Sequence, residues 1–397
     1  MSSMELQFLP GQNYDCVRCA KGCHPSSWRI HVDPYSQRQI QGSQIGLRVI
    51  QENGGPPFQP FHKHADGATI MSPNADGKCF FLQGDNLCGL HAEAGIDAKP
   101  IGCRQFPFLI RPSPDGVVVG VSFYCTSVQQ NSGRPLDAHA DEIREIIKRI
   151  NFKPVGEGPI PVYGEVTTDW GAYKQFEQFL AREMESAGPE LATGRCIYGL
   201  SAAIHRNGNP LTADKLMPEL ETAPPEALER DGIIHAQNEF FVAAMVAMLE
   251  AADPGKCPEL TEALLQGRDI SLARFGWKGS ALDVERREQD MRDRFENEIT
   301  RYLRALLHRK FLILERPLLD NLAILYLVPR MLRYYTALAN LARGAPEPEI
   351  ADYFRALDVV EGLATHAHGL DVLYTAFGES LYKQTVAIID RQDSADQ

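Results

Sequence analysis

Three thiols and an imidazole fall within nine residues near the start of the chain, in Cys16-Val-Arg-Cys19-Ala-Lys-Gly-Cys23-His24. A thiolate is a soft ligand whose charge is costly to bury without a cation, and short loops let several sulphurs converge on one point. This spacing therefore points to zinc or to iron–sulphur chemistry. Neutral His24 offers a nitrogen ligand in the same motif, with a surface role beside Pro25 as the alternative. Four more cysteines, Cys79, Cys88, Cys103 and Cys125, follow before residue 126, at turns and strand ends from which folding can bring them to one place. Seven thiols exceed one tetrahedral site, so one four-iron cluster with extra sulphurs beside it and two separate metal sites both satisfy the count.

Other residues carry weaker signals. Cys196 and Cys257 stand apart and read as small buried hydrophobes. His62-Lys-His64 and His366-Ala-His368 each place two imidazoles close together, but solvated loops account for both. His91 follows Cys88 closely and so lies near the thiols in sequence. Arg104, directly after Cys103, either tunes a neighbouring thiolate or fixes its loop through an interior ion pair. Arg301, Arg304, His308, Arg309 and Lys310 form a basic group that reads as the solvated face of a long helix. No nucleophile–base pair or pair of carboxylates stands out, and Gly156-x-Gly158 lies in a Pro-rich link, a poor setting for a nucleotide-type cofactor loop.

The setting of these residues bounds their chemistry. The formal net charge of −12 opposes general attraction to nucleic acid or anionic lipid. The start, Met1-Ser-Ser-Met-Glu-Leu, lacks the basic and apolar parts of a secretory signal, so a cytoplasmic location is expected and structural disulfides are not. The apolar run Phe240 to Leu249 is too short to span a bilayer, and Glu315, Arg316 and Asp320 interrupt the stretch from Phe311 to Val328. No membrane span is expected.

The elements that must position the thiols are short. From 26 to 125 the chain reads as strands and turns: Trp28, Ile30 and Val32 alternate with polar residues, Cys79-Phe-Phe-Leu is a compact apolar run, and Val117 to Tyr124 closes the region. A helical segment near 138 to 150 precedes a Pro/Gly-rich link from Lys153 to Pro161. Beyond it Trp170, Tyr173, Glu177 and Leu180 share one helical stripe, and Met291, Phe295, Ile299, Leu303 and Leu306 another. Pro224-Pro225 reads as a helix start, and Ser280 or Asp283 as the cap of a long helix ending near Lys310. The fold class expected is α+β: an irregular, β-rich cysteine-cluster metal module over 1–152, then a mainly helical domain over 153–397.

The ordered motifs resemble the YkgJ-like cysteine-cluster proteins, a family described as zinc- or iron-chelating that includes flagellin lysine-N-methylases. They are Cys16-x2-Cys19-x3-Cys23-His24-x3-Trp28-x-Ile30, Cys79-Phe-Phe-Leu, Leu87-Cys88-x2-His91, Pro100-x2-Cys103-Arg104-x-Phe106-Pro107-Phe108 and Ser122-Phe-Tyr-Cys125. Together they cover roughly residues 14 to 127. The family's first motif ordinarily ends in a Cys-Cys pair, where this chain has Cys23-His24. The resemblance implies a metal site built from Cys16, Cys19, Cys23, His24, Cys79, Cys88, Cys103 and Cys125, holding an iron–sulphur cluster such as 4Fe-4S, or zinc. In the helical part, the segment Phe295 to Leu312 resembles the aromatic and Arg-bearing helix of longer members. That likeness implies methyl transfer from S-adenosylmethionine to a lysine presented by a partner protein. From the length of the chain, the helical part, with Tyr302, Arg304 and His308, is expected to cover the metal module and form a cleft for a cofactor and a peptide side chain. The rival expectation is a zinc- or iron-binding structural or interaction module without catalysis.

Overall fold

The computed structural model describes residues 5–25, 29–150, 152–226, 228, 239–244, 246–247, 254–272, 276–291, 294–366 and 371–395, with the side chains of 254, 363–366 and 371–372 left aside. The chain is α+β and divides into two compact units, Met1–Lys153 and Pro154–Gln397.

The first unit is built on a three-stranded sheet. Its central strand, Gly116–Val121, pairs antiparallel with Phe108–Ser113, placing Ile110 opposite Val119, and parallel with Leu6–Phe8, placing Leu6 opposite Val117. Val117, Val118, Val119 and Val121 are all buried, as expected of a strand covered on both faces, whose sequence runs apolar without alternation. Gly116, at the turn into this strand, holds φ +134° and a side chain there would meet the Glu5 carbonyl oxygen at 2.7 Å. A second apolar core lies among Ile30, Val32, Ile40, Ile45, Val49, Met71, Phe81 and Leu90.

Two helices of this second core, Pro34–Gly42 and Gln44–Glu52, fall where the sequence reads as strands and turns. Each starts on a side-chain cap: Asp33 accepts from the Ser36 N–H at 3.0 Å, with Pro34 in the first turn, and Ser43 accepts from the Gly46 N–H at 3.0 Å. Their polar faces, rich in Gln, leave few apolar residues, so the caps and not the periodicity mark them. A two-stranded hairpin, Phe61–Lys63 with Thr69–Met71, completes this layer, and His31 bridges Ile70. Ile30 and Val32 are both buried, while Trp28 lies outside the described residues. The helix expected near 138 to 150 runs over Ala140–Ile147.

The second unit is helical, with two small hairpins, Ile160–Tyr163 with Val166–Thr168 and Asp269–Leu272 with Trp277–Ser280. Its axis is Leu318–Arg343, buried around its whole circumference from Leu318 to Val328, which is the pattern of a core helix and not of a surface one. Around it stand Pro189–Asn207, Ala281–Gln289, Ile350–His366 and Asp371–Ala395, and Trp170–Ala187 packs on Pro189–Asn207. Of the stripe expected on Trp170–Ala187, Tyr173 and Leu180 are fully buried, while Trp170 and Glu177 are half-buried and Phe176 takes the inward place beside Glu177. The single long helix expected from Ser280 to Lys310 is instead two, Ala281–Gln289 and Glu296–His308. Ser280 caps only the first, accepting from the Leu282 N–H. The segment after Pro224-Pro225 lies mostly outside the described residues. Among the described residues no helix is long and apolar enough to cross a membrane.

Candidate metal centre

All nine cysteines are free thiols. The first unit draws seven of them into two neighbourhoods. Cys23 closes a 3₁₀ turn, Lys21–Cys23, and its carbonyl accepts from the Cys79 N–H at 2.8 Å. The Cys79 carbonyl in turn accepts from Leu82, which is bridged to Cys88, and Cys79, Cys88 and Cys103 all pack against the core containing Ile30 and Phe81. Phe106, just beyond the short helix Ile101–Gln105 that carries Cys103, lays its ring where a side chain on Gly22 would stand, 3.0 Å away. These links gather Cys23, Cys79, Cys88 and Cys103.

A second set of links gathers Cys16, Cys19 and Cys125. Asp15 donates its N–H to the Ser132 carbonyl at 3.2 Å and accepts on its own carbonyl from the Ser127 hydroxyl at 2.5 Å, so the residue before Cys16 is tied to the turn that follows Cys125. Gly133 makes that approach possible: at φ +104°, a Cβ there would lie 2.3 Å from the Asp15 nitrogen. Lys21 reaches Gln129 on the same short helix, Thr126–Gln129, at 3.5 Å. Between Cys16 and Cys23, Arg18 and Ala20 hold left-handed backbone at φ +56° and +60°. Such residues cost about 1–2 kcal/mol each and survive where the surroundings impose them, often at functional sites.

Electrostatics follow the same division. Burial pushes the Cys103 thiol well above its ordinary range, and the neighbouring thiols of Cys79, Cys88 and Cys23 push it further while Lys99 opposes them. Burial likewise raises Cys79 to about 12, against a backbone N–H from Phe81, and Cys23 to about 11, where Cys88 adds to it and Cys16 and Cys19 act more weakly. Cys125 rises to about 11 through burial, opposed by the N–H groups of Val128 and Ser127, and the thiols that act on it are Cys19 and Cys16. Tyr14 faces the same three: burial first, then Cys125, Cys16, Glu142 and Cys19 keep its phenol protonated. Its carbonyl bonds the buried His139 at 2.8 Å and its ring packs edge-on against Phe108.

The donor set fits a soft or borderline cation. The Cys79 and Cys125 thiols receive backbone N–H groups and Lys99 stands beside the first set, surroundings in which thiolates would suit a cation that offsets their charge. As the side chains stand, no three His, Cys, Asp or Glu among the described residues converge into a group that holds a metal, so rotation of the thiols would have to complete either site. Tyr14, Lys99 and Lys21 were not singled out from the sequence. Their only signals there are position: Tyr14 two residues before Cys16, Lys99 just before Pro100-x2-Cys103.

The remaining candidates divide. His24 follows the Lys21–Cys23 turn directly and is half-buried. His91 is exposed on Gly89–Ala94, its imidazole lowered by burial and by Lys99. His62 bonds Ser72 at 2.8 Å and His64 meets Asp66 at 3.2 Å, both local surface partners. His368 lies outside the described residues, and the side chain of His366 with it. Arg104 is buried and pairs with Asp97, an exposed carboxylate, at 2.9 Å. Cys196 is fully buried, and Cys257, half-buried, donates to the Ala247 carbonyl at 3.8 Å.

The basic group of the second unit is corrected. Only Arg304 lies on a solvated face, paired with Glu185 at 3.1 Å. Arg309 and Lys310 are buried: Arg309 forks onto Glu361 at 2.7 and 3.1 Å, and Lys310 pairs with Glu177 over the Trp170 ring. The stripe of Glu296–His308 places them inward because its last turn ends against the core. Tyr302 is fully buried too, its hydroxyl donating to Glu361 at 2.8 Å, so it is a core residue and not the wall of a cleft.

No family model and no solved structure matches the chain. Over 180 residues, 43% of this chain, it is similar at 23% identity to the uncharacterized protein MJ0939 of Methanocaldococcus jannaschii. The match spans 59% of that relative's length.

Proposed function

We propose that this chain is a cytoplasmic metal-binding protein of the cysteine-cluster type, holding an iron–sulphur cluster, with zinc as the competing metal. The observation that carries the reading is the gathering of Cys16, Cys19, Cys23, Cys79, Cys88, Cys103 and Cys125, all free thiols and all but Cys16 at least partly buried, from 110 residues of chain into one unit. Seven thiols in one small unit would be an expensive way to fill a core, and each carries more value as a ligand than as a hydrophobe. The metal would supply folding energy to a region of short elements, and in iron–sulphur form a redox or Lewis-acid centre.

The enzyme reading goes further: transfer of a methyl group from S-adenosylmethionine to a lysine on a partner protein. It is supported by the resemblance of the cysteine motifs and of the segment Phe295 to Leu312. The net charge of −12 supports a protein partner over nucleic acid. Purification without oxygen, with iron, sulphide and zinc analysis, tests the metal: a brown protein absorbing broadly in the visible supports the cluster, and a colourless zinc protein gives zinc. Calorimetry with S-adenosylmethionine on the metal-replete protein tests the enzyme. Heat of binding is the expected result, and its absence leaves the non-catalytic metal module.

A further inference from the structure

We propose that the helix Ala281–Gln289 is a proton-controlled latch on the second unit: it docks while the Glu288 carboxyl carries a proton, and it opens ahead of the neighbouring helices once that carboxyl ionises. The second unit holds none of the proposed metal ligands, so this inference is independent of the reading above.

The face that docks this helix is small. Its buried residues are Ala281, Val284 and Glu288, spaced to fall on one side, while Leu282, Asp283, Arg286 and Gln289 are exposed. That side packs on the core helix Leu318–Arg343. An alanine and a valine bury little apolar surface, so the third inward residue, a carboxyl, decides how firmly the helix is held.

Glu288 enters a cluster that has one carboxylate more than it has guanidinium groups. Arg330 already pairs with Glu239, and Arg333 with Glu190. Glu288 stands 3.6 Å from the Arg330 Nε and 3.8 Å from the Arg333 Nε, beyond hydrogen-bond distance, and the buried Arg330 Nε has no hydrogen-bond partner among the described residues. Tyr334 of the core helix is buried and keeps its phenol proton, through burial first and then through Glu288, with Glu285 a further carboxylate acting on it. The other elements packed on the helix, Cys257–Leu265 and Trp277–Ser280, carry Glu259, Glu262 and Lys278. Three buried or half-buried carboxylates facing two guanidinium groups favour one proton, placed on the carboxyl least bonded to them. Burial raises Glu288 to about 7 against both arginines, in agreement with that count. The docked helix therefore binds the proton more tightly than the open one, and opening is favoured as pH rises.

Hydrogen–deuterium exchange with mass spectrometry on the full-length protein as purified reads the latch, with labelling times scaled for the intrinsic exchange rate. Between about 4.5 and about 7, protection of Ala281–Gln289 should fall by up to about tenfold per pH unit and then level off, while Pro189–Asn207 and Leu318–Arg343 keep theirs. Glu288→Gln should hold the helix protected across the whole range. Glu239→Gln, which removes a carboxylate that favours protonation, should move the levelling-off to lower pH. Protection indifferent to pH, a Glu288→Gln curve parallel to that of the unaltered protein, or loss of protection in all three helices together overturns the latch. The curve of the unaltered protein decides the matter even where a variant fails to fold.

Discussion

Arg309, Glu361 and Tyr302 form a buried cluster in which one carboxylate accepts a bidentate guanidinium and a phenol. Burial disfavours the Arg309 charge, but the Glu361 carboxylate outweighs it and holds the guanidinium protonated; burial, then Glu361, keeps the phenol neutral. Removing one partner of such a pair leaves an uncompensated charge in the core. Glu361→Ala should therefore lower the stability of the protein by about 3–5 kcal/mol. Tyr302→Phe removes one donor and keeps the ion pair, and should cost about 1–2 kcal/mol. Urea denaturation followed by far-ultraviolet circular dichroism measures both, and a smaller loss for Glu361→Ala than for Tyr302→Phe would show that the pair contributes little. The same residues show why sequence mislocates charge. Arg309 and Lys310 read as solvated because basic residues usually are, and only the partners Glu361 and Glu177, more than 50 and 130 residues away, make their burial affordable.

At the scale of elements, legibility followed how much of each element's stabilisation is local. The helix Trp170–Ala187 and the strand Gly116–Val121 announce themselves by period and by apolar run, whereas Pro34–Gly42 rests on one cap and a few apolar residues meeting distant ones. The cysteines were legible by type and spacing, but their division into two neighbourhoods depends on hydrogen bonds across more than 100 residues, such as Ser127 to Asp15, that no local pattern encodes. A cluster joining several helices of the second unit makes a pH-dependent prediction. Glu288, on Ala281–Gln289, approaches Arg330 at 3.6 Å and Arg333 at 3.8 Å on Leu318–Arg343, which also pair with Glu239 and with Glu190 of Pro189–Asn207. Burial raises its carboxyl from 4.5 to about 7; the two arginines oppose this, and Glu239 and Glu190 reinforce it. Between those values the folded protein binds the proton more tightly than the unfolded chain. The stability this contributes is full below about 4.5 and is lost as pH rises through about 7. Relative to Glu288→Gln, the unaltered protein should lose up to about 1.4 kcal/mol per pH unit across that window. Parallel stability–pH curves for the two proteins would remove Glu288 as the cause.

At the scale of the molecule, the two units draw on different sources of stability. The second has a core helix buried around its circumference, flanked by long helices. The first has a three-stranded sheet, a second core of some nine buried residues and several elements of two to six residues, with Cys79, Cys88 and Cys103 forming part of the wall of that second core. When ligands are absent from the unfolded chain's geometry, metal affinity is folding energy, about 10–16 kcal/mol for a structural zinc at neutral pH. Stripping the metal, or substituting Cys103→Ser or Cys19→Ser, should therefore lower metal content and loosen residues 1–153 while sparing 154–397. Limited proteolysis with mass spectrometry reads the outcome: chelated protein should be cut first between residue 16 and residue 125 and leave a resistant fragment beginning near Pro154. Cleavage at equal rates in both units, or cutting unaffected by the chelator, would show that metal does not stabilise the first unit separately.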